Sequence, residues 1–223
     1  QVQELSEQEN KAAEEAKKFG ANGETAFEMV GSALVAAGIT AGLKKIADAY
    51  KECIDVSMEF GSTMSTVEAL SGANAVQMQE LTAKAKELGA QTSFTANQSA
   101  EAMTYMGMAG WDANDMLYGM NGMINLAAAS GEDLALVSDI VTDNLTAFGL
   151  TAKDTAHFAD VLAAAATNSN TNVATMGETF SGAGAIAGAL GYSIEDVAVG
   201  VGLMANAGVK GSVAGTALKN TFN

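Results

Sequence analysis

Three short stretches of this chain share one grammar. Gly110-Trp-Asp-Ala-Asn-Asp115, Gly149-Leu-Thr-Ala-Lys-Asp154 and Gly191-Tyr-Ser-Ile-Glu-Asp196 each run glycine, a large apolar residue, then Asp, Thr or Ser, with an acid three positions on. Glycine takes the left-handed conformation that ends a helix, and the apolar residue after it packs back on the helix just ended. Asp112, Thr151 and Ser193 then stand where a helix N-cap is needed, with the later acid near the positive end of the new helix. A chain punctuated in this way ends one helix and begins another within about three residues.

The junctions lie 39 and 42 residues apart. Further helix starts fall between and around them, at Thr95-Ala-Asn-Gln98, Ser130-Gly-Glu-Asp133 and Thr175-Met-Gly-Glu178. The pattern predicts helices over 75–88, 96–109, 113–129, 131–148, 152–168, 176–190 and 194–207, with a last one from about Ser212. Two helices per period of about 40 residues resembles a helical-repeat arrangement. Met116, Leu117, Met120, Met123, Ile124 and Ala127 form a core-spaced stripe on one of these helices.

Composition agrees. The 223 residues contain no proline, where average usage would give roughly ten, and proline breaks helix interiors. Aromatic content is 6%, which gives little support to a β-rich core. The fold class read from the sequence is all-α: long N-terminal helices with coiled-coil character, then short capped helices in hairpins. Residues 1–70 carry the first part. Val2, Leu5, Ala12, Ala16 and Phe19 make a weak stripe, Gly20 and Gly23 break it, and a capping box at Thr25-Ala-Phe-Glu28 restarts a helix. A longer stripe follows through Ile46, Ala49, Cys53, Val56, Phe60, Thr63, Val67 and Leu70, with Gly61 and Ser62 expected to bend it. Ile46, Ala49, Cys53, Val56 and Phe60 are its candidate self-association residues, and Cys53 reads as a small core residue on it. Residues 71–223 carry the hairpins. The chain reads as a piece of a longer polypeptide.

Charge excludes some functions. The net charge is −15, and all eleven basic residues are lysines. From Glu101 onward twelve acids face three lysines, which disfavours nucleic acid and anionic membrane surfaces. The uncharged runs Met29–Leu43 and Thr179–Ile194 are too short and too rich in Gly and Ala for ordinary membrane spans, and read as closely packed buried helices. The pairs Gly38/Gly42, Gly184/Gly188 and Gly211/Gly215 each put two glycines on one helix face, where another backbone can approach.

Reactive constellations do not emerge. The one histidine, His157, reads as a helix-flank residue. Of the carboxylate pairs, Asp112/Asp115, Glu132/Asp133 and Glu195/Asp196 sit where capping explains them, and Asp139/Asp143 share a solvated helix face. Gly182-Ala-Gly184-Ala-Ile-Ala187 matches a dinucleotide pattern without the strand that pattern requires. The chain is therefore expected to be no enzyme, with no catalytic residue, no metal site and no cofactor.

From about Ser62 onward the sequence resembles the core of bacteriophage tail tape measure proteins. The likeness is carried in order by Leu81–Ala96, Ala100–Met103, Met108–Asp112, Leu126–Leu134, Ser138–Asp143, Ala147–Leu150, Phe158–Leu162, Thr171–Val173, Met176–Thr179, Ala187–Tyr192, Gly202–Gly208 and Lys210–Leu218. Relatives often carry an aromatic and a proline around Ser181–Ala185, where this chain reads SGAGAIA. The resemblance implies a virion structural protein of the tail tube lumen or tail tip, made in the host cytoplasm. It would set tube length during tail assembly and leave at DNA ejection. Its implied partners are other copies of itself in a homo-oligomer such as a trimer, the tail tube, the tail tip or baseplate hub, and tail assembly chaperones. Specific nucleic-acid binding is not implied. The alternative reading is a membrane-active helical module forming part of a DNA-delivery channel, in contact with the host membrane. A bacteriocin-like particle would use the same protein.

Overall fold

Turns of a few residues separate the helices, and most helices pack chiefly on the second one along the chain. The computed structural model describes residues 42–222, and side chains from residue 48. Among the described residues the chain is all-α: α1 (Gly42–Ser71), α2 (Ala75–Gln91), α3 (Ala96–Met108), α4 (Ala113–Ser130), α5 (Leu134–Ala147), α6 (Thr155–Asn168), α7 (Val173–Ala189), α8 (Ile194–Asn206) and α9 (Gly211–Phe222). A 3-10 turn, Ala152–Asp154, leads into α6. The stripe through Phe19, the Thr25 capping box, nearly all of the Met29–Leu43 run and Gly38 lie outside the described residues.

The chain divides into two units, Gln1–Met58 and Glu59–Asn223. In the second, α3 packs on α5, α5 on α7 and α7 on α9, while α2 packs on α4, α4 on α6 and α6 on α8. These are two layers of a helical stack, one of odd and one of even helices, with the core between them. Phe180 of α7 lies at its centre, 5.9 Å from Phe158 of α6 and 6.0 Å from Phe148 at the end of α5. Met103, Met106, Met116, Met120 and Met123 are fully buried, which suits an unbranched side chain that fills irregular gaps between helices. Leu117 is only partly buried, and Met108 is exposed.

Two helix starts differ from the sequence reading. Ser130 does not open a helix. Gly131, at φ 71°, closes α4, and the Ser130 hydroxyl donates back to the Leu126 carbonyl. Asp133 is the cap of α5, its carboxylate accepting from the Ala135 and Leu136 N–H groups. Likewise Thr175 lies inside α7. Asn172 is the cap there, accepting from the Thr175 N–H at 2.8 Å. In both cases a second competent cap stood three residues from the one expected, and local spacing alone does not rank the two.

The glycine-rich helix α7 is held by its neighbours. A Cβ on Gly188 would lie 2.9 Å from the Ala147 carbonyl, and one on Gly184 would lie 3.0 Å from the Phe148 ring. On the other side a Cβ on Gly182 would meet the Gly215 Cα at 3.0 Å. Glycine lets α7 approach α5 and α9 at backbone distance, so the SGAGAIA stretch is a regular helix. No helix among the described residues is long and apolar enough to cross a membrane.

Candidate functional site

The junction residues follow the ends of α3, α5 and α7. Gly110, Gly149 and Gly191 have φ of 86°, 69° and 81°. At each, the residue after the glycine donates its N–H five residues back: Trp111 to Met106, Leu150 to Leu145 and Tyr192 to Ala187, at 2.8–3.0 Å. The glycine N–H groups bond to Gly107, Thr146 and Gly188. Paired bonds of this kind satisfy the carbonyls that a helix end leaves open.

The apolar residues then differ. Trp111 is buried, and its ring lies against Gly119 of α4, where a Cβ would meet it at 2.3 Å. Leu150 is partly buried, and Tyr192 stacks on Phe222 at 4.8 Å between ring centroids. The following residues start the even helices. The Asp112 carboxylate accepts from the Asp115 N–H, and Ser193 and Asp196 form a reciprocal capping box. The Thr151 N–H and hydroxyl both donate to Asp154. Those two bonds hold the Asp154 carboxyl below the ordinary carboxylate range, the backbone N–H contributing most.

A fourth junction of this type closes α8. Gly208 has φ 87°, and Val209 donates to Met204. The sequence reading missed it because Lys210 follows where the other three place Asp, Thr or Ser. The signal that survives is the Gly-large apolar pair alone.

The titratable groups sit apart. His157 of α6 is exposed, with Nε2 2.6 Å from Glu195 Oε1 of α8, and so links two neighbours of the even layer. The Glu195 carboxyl is lowered chiefly by its own backbone N–H, then by the Ser193 hydroxyl and by His157. Partial burial and Asp143 raise the Asp139 carboxyl. Among the described residues no three His, Cys, Asp or Glu side chains are grouped closely enough to hold a metal ion.

The α1 stripe divides in two. Ala49, Cys53 and Val56 are exposed in the single chain. Phe60 and Thr63 are half-buried, and Val67 is buried. The side chain of Ile46 lies outside the described residues. Met64, one position off the expected stripe, is buried, because Phe60, Thr63, Met64 and Val67 share one helix face at 3-4 spacing. Leu70 reaches α3, where a Cβ on Gly107 would meet it at 2.8 Å.

Helices that each lean on the second one along make the described residues an all-α, two-layer stack. The family described as "Phage-related minor tail protein" matches residues 82–223, and the chain belongs to this family. It is 35% identical over 225 residues to the tape measure protein of Pneumococcus phage Dp-1, covering 100% of this chain and 20% of that protein. It is 28% identical over 188 residues to the probable tape measure protein of Escherichia phage P2, covering 83% of this chain and 22% of that protein. The chain thus spans about a fifth of the length of these relatives. No solved structure matches it. Its family and its named relatives are those of phage tail proteins.

Proposed function

We propose that the chain is a segment of a tail ruler: a tape measure protein that sets tube length during assembly, occupies the tube lumen and leaves when DNA is ejected. The observation that carries this is the similarity of the whole chain to the Dp-1 tape measure protein. The acidic, arginine-free composition supports it, since such a surface would not retain DNA passing behind it. The exposed Ala49, Cys53 and Val56 on α1 support a further element of the reading, association of copies through a coiled coil in residues 1–70. The helix caps and turns at Gly110, Gly149 and Gly191 serve in this reading to hold the hairpins.

The test is tail length. Six added heptads in the exposed part of α1 should lengthen tails by about 60 Å, at about 1.5 Å per helical residue. Tails of unchanged length would refute the ruler role.

A further inference from the structure

We propose that residues 59–223 stay folded as the two-layer stack inside the assembled tail, and therefore act as a compact body within the ruler. The inference rests on the ruler reading above. It has three independent supports in the fold.

First, glycines at positive φ, among them Gly110, Gly131, Gly149, Gly191 and Gly208, interrupt the helix at intervals, so no continuous seam runs along this part of the chain. A coiled coil needs an unbroken heptad stripe to wind on. Second, straightening the chain would expose Met103, Met116, Phe158 and Phe180, all fully buried in the apolar core. It would also part Gly182 from Gly215 and break the bond from the Thr179 hydroxyl to the Gly211 carbonyl. Third, the outer surfaces of α2 and α9 are mostly polar, with Val76 and Val213 as exposed apolar exceptions. α2 exposes Gln79, Glu80, Lys86 and Glu87, and α9 exposes Ser212, Thr216, Lys219 and Asn220.

The consequence is metric. Neighbouring helices in a layer lie about 8–10 Å apart, so a period of about 40 residues adds about 10 Å and the whole stack measures about 40 Å along its layers. As one straight helix the same residues, about 165 of them, would span about 250 Å. A ruler containing such a body has a length well below what its residue count implies.

The experiment uses tails assembled with the full-length protein carrying residues 59–223 twice in tandem, measured by electron microscopy beside the six-heptad variant. The proposal expects tails about 40 Å longer, against about 60 Å for the heptads. Lengthening by about 250 Å would overturn the folded stack and leave the ruler standing. No lengthening in either variant would remove the ruler, and the proposal with it. No lengthening from the tandem alone would overturn the stack as part of the measured length. If the tandem protein does not assemble, spin labels on Gln79→Cys and Ser212→Cys, with Cys53→Ser, read the same question in tails of ordinary length. A separation of about 40 Å supports the stack. Absence of coupling, as expected at about 200 Å, overturns it.

Discussion

At the residue scale, two glycines show how backbone context sets the sign of replacing a glycine. Gly110 sits at φ 86° with open space around it, so a side chain there is strained by the backbone alone. Gly110→Val should cost about 1–2 kcal/mol or more in urea unfolding of the chain, because L-residues pay that in the left-handed region and a β-branched one pays most. Gly61 also has nothing near it, but it lies in ordinary helical conformation on α1. Gly61→Ala should therefore stabilise by about 1 kcal/mol, the difference in helix propensity. Equal effects from the two changes would mean that the junction conformation is not the one described.

At the element scale, the cap assignments are separable. Asp133→Ala should cost about 1 kcal/mol, since its carboxylate holds two N–H groups of α5, whereas Ser130→Ala should cost a few tenths at most. A reversed order in thermal unfolding would restore Ser130 as the cap. The Asp154 carboxyl is held below the ordinary range in the folded chain, so its contribution is fully present above the usual carboxylate pKa. That contribution is lost as pH falls through the depressed value. Asp154→Asn should thus lower stability at neutral pH and flatten its decline in acid; an unchanged acid limb would show that the Thr151 bonds do not persist in solution.

Much of the element pattern was legible in sequence because capping chemistry is local. Gly110-Trp-Asp and Gly191-Tyr-Ser carry their stop and start signals within a few residues. What was not legible depends on distance. Nothing near Gly182 announces that Gly215 will lie against it, and nothing near His157 announces Glu195. Cys53 lies on a 3-4 stripe, yet a stripe says which face is apolar and not what covers it.

At the scale of the whole molecule, α1 exposes Tyr50, Ile54, Val56 and Met58 within nine residues. If copies associate there, the chain should sediment as an oligomer, and Val56→Glu should shift it toward monomer without loss of helix content. Sedimentation that is the same for both proteins would exclude this stretch as the contact.

The stack itself is tested most directly through the 38 residues that separate His157 from Glu195. With Cys53→Ser, His157→Cys and Glu195→Cys, a short bis-maleimide should join α6 to α8 within one chain, giving monomer-sized protein whose peptides are linked at 157 and 195. Linkage only between chains, or none, would contradict the packing of each helix on the second one along.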